Sequence, residues 1–541
     1  MRTPQTDFDY IIVGGGTAGC VVAARLHEAH PHLSIALIEA GEDATSDPKV
    51  QDPRAAQSMN DTDAHWTYTS TEQVHLGGRT LTSLGGRLLS GSSAVNYTGW
   101  LRGNAADYDR WAALVGDSRW SYESMLPAFK RSEHWHDAGA ATAHLHGFEG
   151  PIRTRTIDCG FPLREPMREA YESIGFPYNH DMNSGDPNGI SSMVMSWHEL
   201  KRQHAAACYP LDGVHILCNT VVSKILLKDN RATGVEITGK GGQLRARKEV
   251  IISCGAIRTP QLLLLSGIGP KSELDKHHIP IVVESPDVGK NLRDHHGVSL
   301  VWKLKHPERG LALGSPAFNK PEYAHSLPMD WMITGSAPES DLQKAAVVDG
   351  TKVEPGSRSD FELVPTYLAN GRGLMPWIPF NGEYITCQNV CLSSTSRGTV
   401  TLRSTNPLDN PVFDPNSLST EHDRAVLRAA MRTTMHAMSS AALAPFLEPG
   451  EVPPPGQSSL SKSSTDAELD ERIAAFALGY YHPAGTAAMG HVVDSECRVK
   501  GTQGLRVVDA SIMPLAMTAH LQAPVYGLAE QAAAIIAQSA A

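Results

Sequence analysis

Asp9-Tyr10-Ile11-Ile12-Val13-Gly14-Gly15-Gly16-Thr17-Ala18-Gly19 carries most of the information about how this chain folds. Tyr10 to Val13 is a short unbroken apolar run, the pattern of a strand buried on both faces. Small and apolar residues at helical spacing follow over 17–29 (Ala18, Val21, Val22, Leu26), and Ile35 to Ile38 make a second buried strand. Gly14, Gly16 and Gly19 satisfy G-x-G-x-x-G between the first strand and the helix, the context in which this motif binds a dinucleotide. The first glycine permits the tight turn, the second lets the backbone approach a pyrophosphate, and the third lets helix and strand pack closely. Free N–H groups and a partial positive charge at the helix start favour phosphate. Thr17 and Ala18, the first helical residues, are therefore expected cofactor contacts beside the three glycines. Glu39 and Ala40 close the second strand. A carboxylate there would accept hydrogen bonds from both ribose hydroxyls and repel a 2′-phosphate, which disfavours NADP. The motif does not separate NAD from FAD.

The 541-residue chain is too long for one core and predicts two to four folding units at roughly 150 residues each. With 41% hydrophobic and 19% charged residues it is neither disordered, collagenous nor coiled-coil. A net charge of -11 repels nucleic acid and anionic lipid, so neither is expected as a partner. No apolar run approaches the ~20 residues a bilayer span needs. The N-terminus lacks a secretory pattern and the C-terminus, QSAA, is not a peroxisomal address, so a cytoplasmic monomer or homodimer is expected. None of the eight cysteines forms C-x-x-C, and they read as reduced and mostly buried. Spacing leaves a Cys387–Cys391 bridge open. The acceptor triplets Asn60-Asp61-Thr62 and Asn96-Tyr97-Thr98 read as coincidental without a secretory signal.

Further along, 130–215 is mixed and loop-rich and contains His134, His136, His144 and His146. No carboxylate or cysteine spacing accompanies these histidines, so no metal is expected. Val250 to Ser253 reads as another buried strand and Leu262 to Leu265 as a helix ending at Gly267. Residues 303–360, rich in Pro, Gly and Ser, are expected to form a lid or long excursions rather than core. Residues 449–465 read as a surface loop, and Val525 to Ile536 as a terminal helix.

Several blocks resemble the glucose-methanol-choline (GMC) family of FAD-dependent oxidoreductases. Gly85-Gly86-Arg87-Leu88-Leu89-Ser90-Gly91-Ser92-Ser93-Ala94-Val95-Asn96 is similar to the family's R-G-K-x-L-G-G-S-S-x-x-N signature. Gly255 to Pro260 with Ser266 to Gly269 resembles its second signature. Val288 to His295, Ser396 to Val400, His482 to Thr486, Leu505 to Ser511 and Ala519 to Pro524 complete the series in family order. The resemblance implies non-covalent FAD. Gly91, Ser92 and Asn96 would lie against the flavin, and Val222 under the adenine. Asp509 and Ala510 would lie near the pyrophosphate and ring, with Gln522 near the pyrimidine edge. Two departures stand out: Ser90 replaces a family glycine and Gly85 the leading arginine, which bear on the turn's geometry. Val95 stands where members with covalently attached FAD carry histidine.

His482 and His520 align with the family's active-site pair. Oxidising an alcohol moves a hydride from carbon and a proton from oxygen. A neutral imidazole can take that proton near neutral pH, and a second can hold the oxygen. By family analogy His482 is the base, and His520 its hydrogen-bonding partner and a cofactor neighbour. The other histidines, His295 in the third block included, read as structural. The expected fold is α/β. A discontinuous Rossmann-like FAD-binding domain comprises 1–160, 205–300 and 485–541. A substrate domain of antiparallel sheet backed by helices comprises 161–204 and 301–484. The expected activity is FAD-dependent oxidation of an alcohol to an aldehyde or ketone, with reoxidation by O2 or another acceptor. The tail resembles the aryl-alcohol-oxidase branch, which favours an aromatic, allylic or otherwise activated small-molecule alcohol. The alternatives are a non-redox lyase resembling hydroxynitrile lyases and an NAD-dependent dehydrogenase.

Overall fold

A computed structural model describes residues 5–60, 62–238, 242–353, 356–369 and 375–540. Asp61 of the first acceptor triplet lies outside these residues, as do 354–355 of the stretch expected as a lid. Two sheets organise the chain. In the first, Asp7–Val13 is flanked by Ile35–Ile38 and by the long strand Gly242–Ile252, both parallel to it. Val13 thus pairs with Ile38 on one side and Ile252 on the other, and all four residues of Ile35–Ile38 are buried. Such strands show no polar alternation because helices and loops cover both faces. His215–Leu217 extends one edge in parallel; Arg231–Ile237 and Val222–Lys228 extend the other antiparallel. Leu505–Val507 returns from the far end of the chain to pair with Val250 to Ile252. Three parallel strands therefore end side by side at Gly14, Glu39 and Ser253, the carboxyl edge where open α/β sheets bind ligands.

The helix Thr17–Ala29 crosses between the first two strands and packs on the terminal helix Gln522–Ala540. The terminal helix runs several residues beyond the expected 525–536 at each end.

The second sheet is antiparallel throughout, in the order Leu478–Gly479, His296–Lys303, Tyr384–Cys391, Phe361–Thr366, Trp331–Gly335, Gly189–Ser192. The helix Glu421–Met438 backs it. Cys387 and Asn389 face that helix, where each meets the Thr434 hydroxyl. Thr386 and Gln388, one residue out of phase, face the large cavity. This α/β architecture is the expected one. One expectation is corrected: 303–360 is not all excursion, because Trp331–Gly335 is a fully buried strand and Glu339–Asp349 a helix. A five-residue strand covered on both faces leaves neither alternation nor helical period to read. Cys387 and Cys391, left open from spacing, are free thiols.

Candidate functional site

A cavity of about 800 Å³ runs from the carboxyl edge of the first sheet to the face of the second. At its inner end the Glu39 carboxylate, 5% exposed, accepts N–H bonds from Gly15 (2.9 Å) and Gly41 (2.8 Å). Burial pushes its carboxyl up to about 7 against those bonds. Gly14 has φ +101°, and a Cβ there would lie 2.3 Å from Ser253 O. A Cβ on Gly19 would lie 2.0 Å from Gly14 O, so Gly19 lets helix and strand touch and does not line the cavity. Gly16 differs: its Cβ would meet nothing nearer than 3.9 Å and would project into open space. Thr17, Ala18, Ala40 and Val222 line the same end.

Gly91 faces Gly16 so closely that its own Cβ would come within 2.8 Å of Gly16 Cα. The Ser90 departure keeps the turn: Ser90 holds φ +90° although it is not glycine, at a cost of roughly 1–2 kcal/mol. Its buried hydroxyl accepts from Ala206 N–H and contacts His204 Nδ1, both at 2.8 Å, which offsets that strain. Ser92 and Asn96 line the wall beyond. Asn96 Nδ2 donates to Gln522 Oε1, and Gln522 Nε2 donates to Ser196 Oγ, both at 2.9 Å. Asp509 accepts from Gly255 N–H (2.9 Å), the Thr259 hydroxyl (2.6 Å) and Ser511 N–H (2.8 Å), with burial raising its pKa. Ala510 lines the cavity beside it.

The outer part carries the two histidines. The rings of His482 and His520 lie 5.1 Å apart between centroids, inclined at 43°. His520 Nε2 is 2.7 Å from Glu362 Oε1. Gly99 packs against its other nitrogen, where a Cβ would lie 2.6 Å from Nδ1. His482 gives its backbone N–H to Asp294 Oδ1 (2.8 Å), and its Nδ1 stands 3.0 Å from His295 Nδ1. Burial, then the neighbouring His295 and His520, hold the His482 pKa well below the ordinary histidine value. His482 is therefore neutral near neutral pH. Burial likewise pushes His295 down to about 3 and Asp294 up to about 7.

The structure thus brings every expected site residue to this cavity except Gly19, which packs behind it. Behind the lining, His295 and Glu362, which sequence reasoning missed, each touch one of the two histidines. The sequence offers His295 inside the third block but gives it no role beyond structure. Glu362 carried a signal that went unused: a lone carboxylate in the wholly buried strand Phe361–Thr366, where a charge needs a partner. Of the four clustered histidines, His146 is buried between Glu133 Oε1 and Asp181 Oδ2, each at 2.9 Å, and stacks on Trp135. Arg102 pairs with the same Glu133.

A large cavity that joins a dinucleotide cradle to facing imidazoles defines a class, the nucleotide-cofactor oxidoreductases. Family models described as GMC oxidoreductase match residues 8–297 and 394–529, and the chain belongs to that family. It is 40% identical to "GMC-type oxidoreductase acuG" of Aspergillus aculeatus, over 97% of this chain and 98% of that protein. It is 35% identical to the mitochondrial choline dehydrogenase of Homo sapiens, over 98% and 90%. A solved fungal aryl-alcohol oxidase superposes with a TM-score of 0.81 at 26% identity, covering 99% of each chain. GMC oxidoreductases bind FAD and act on CH–OH groups. No helix among the described residues is long and apolar enough to cross a membrane.

The residues present fit FAD. Gly16 and Gly91 leave a slot bare of side chains, the Glu39 carboxylate lines its inner end, and the cavity is large enough for an extended dinucleotide.

Proposed function

We propose that this enzyme binds FAD without a covalent bond and oxidises an activated alcohol to an aldehyde or ketone. The observation that carries the reading is the pair of imidazoles 5.1 Å apart at the outer end of the glycine cradle. Gly14, Gly16, Thr17, Ala18, Glu39 and Ala40 would hold the adenosine and pyrophosphate, with Val222 under the adenine. Gly91, Ser92, Asn96, Asp509, Ala510 and Gln522 would surround the rest. FAD, when bound, supplies the acceptor for the hydride leaving the carbinol carbon. Neutral His482 takes the hydroxyl proton, and His520, its Nε2 held by Glu362, flanks the substrate so that the C–H bond is aligned. Val95 lines the cavity and offers no nucleophile to a flavin, which supports dissociable cofactor.

Met193, Met329, Val364 and Leu368 make the substrate end apolar, with Thr366 and Gln388 as neutral polar groups. That lining favours an uncharged, aromatic or allylic alcohol, in keeping with the likeness to an aryl-alcohol oxidase. The acceptor that reoxidises the flavin is O2 or another oxidant. A boundary between the two domains near 296 is also proposed, because the strand His296–Lys303 pairs within the antiparallel sheet.

Anaerobic mixing of the purified flavoprotein with a panel of alcohols tests the reading: the yellow colour bleaches, then returns in air if O2 is the acceptor. A flavin that stays oxidised with every alcohol, while a cyanohydrin is cleaved, would support the lyase alternative instead. Unfolding should release the flavin into solution; flavin that stays with the polypeptide contradicts non-covalent binding.

A further inference from the structure

We infer that His295 is a positioning residue that sets the tautomer of His482, leaving Nε2 as the nitrogen that receives the substrate proton. The inference rests on the reading of His482 as the base. Its observation is the 3.0 Å approach of two Nδ1 atoms, with the rings edge-on at 84°. Two neutral imidazoles can meet there only if one nitrogen carries a hydrogen and the other is bare.

The role of His482 decides the polarity. With its Nδ1 occupied by His295, Nε2 is the His482 nitrogen open to a substrate, and a neutral imidazole that takes a proton there carries its own hydrogen on Nδ1. His295 Nδ1 is then bare and accepts from His482 Nδ1–H. His482 consequently keeps Nε2 bare, and among the described residues nothing hydrogen-bonds that atom. The opposite tautomer would meet the substrate hydroxyl with a hydrogen and could not take its proton.

The backbone enforces the arrangement. Tyr480 N–H donates to His295 O (2.8 Å), and Arg293 and Ala484 exchange two bonds of 3.0 Å. With the Asp294 bond to His482 N–H, this ties 293–295 alongside 480–484. His295 itself lies behind His482, 3% exposed and outside the large cavity, so it cannot replace His482 as base. In the step, the substrate O–H bond breaks and an Nε2–H bond forms. The hydride leaves the carbinol carbon for the enzyme's flavin acceptor. His482 becomes an imidazolium whose Nδ1–H still points at His295.

The test compares His295→Leu, which fills space without accepting, with His295→Asn, whose Oδ1 can accept near the Nδ1 position. In the purified flavoprotein, His295→Leu should slow flavin reduction about 10²-fold while KM changes less than about threefold. His295→Asn should recover to within about tenfold of the parent. An independent readout is 15N NMR of histidine-labelled protein, with the His482 signals identified by their loss in His482→Ala. In the parent, Nδ1 should be protonated and Nε2 bare, and in His295→Leu this should invert. Reduction by His295→Leu at the parental rate, or an unchanged His482 tautomer in it, would overturn the proposal. Should His295→Leu not fold, the parent spectrum decides alone, since an Nε2–H signal for His482 overturns it. Parental reduction by His482→Ala would instead sink the base reading on which the proposal stands.

Discussion

At the residue scale, burial makes His482 suitable as a base. An imidazole held well below its ordinary pKa gives up some affinity for the proton but is always ready to receive one. On the proposed reading the base is lost only when pH falls through that lowered value. Flavin reduction should therefore stay flat as pH drops past about 6.5, the ordinary histidine value, and decline only well below it. A decline centred at the ordinary value would count against His482. His482→Ala should keep its flavin and lose about 10²–10⁴ in reduction rate, read by anaerobic stopped flow. Ser90 poses a different balance. Ser90→Gly relieves roughly 1–2 kcal/mol of left-handed strain but strips partners from the part-buried Ala206 N–H and from buried His204, worth about 1–3 kcal/mol. The two nearly cancel, so urea unfolding should shift by less than about 1 kcal/mol.

At the scale of elements, two glycines of one turn answer to different demands. The Gly16 Cβ position opens on the cavity, whereas the Gly19 Cβ position collides with Gly14 O. Gly16→Val should thus fold with near-parental Tm yet purify without flavin, while Gly19→Val should lower the stability of the chain itself. Absorbance and thermal melts of the two variants separate these outcomes; full flavin in Gly16→Val would contradict the cradle. The strand Phe361–Thr366 carries Glu362 out of the second sheet to His520. Replacing it by Leu frees that ring, and reduction should slow at least about tenfold with flavin content unchanged.

Across the whole molecule, the first and second sheets meet at one cavity, and buried carboxyls lie on both sides of it. Glu39 and Asp294 are each pushed up to about 7 by burial. A raised folded-state value means these groups favour the folded chain below the ordinary carboxylate range, and that support fades as pH rises through 7. The Tm of the flavin-free protein should therefore fall between about pH 5 and pH 8, and Asp294→Asn should flatten part of the slope. A Tm that climbs over that interval would refute the assignment.

The local pattern was enough for the cradle. Tyr10 to Gly19 announces strand, turn and helix through nearest-neighbour chemistry, and Glu39 follows at the spacing that chemistry requires. His482 and His520 came from ordered family blocks and needed no contact map. Their partners did not follow. His295 lies 187 residues from His482, and Glu362 158 residues from His520. A hydrogen bond between such side chains leaves no period or spacing in the chain, and it exists only after two sheets have packed. The buried strand Trp331–Gly335 escaped for a related cause: once both faces are covered, no alternation remains to mark it. Chain order thus specifies which chemical groups are available, while packing specifies which nitrogen of an imidazole is left bare.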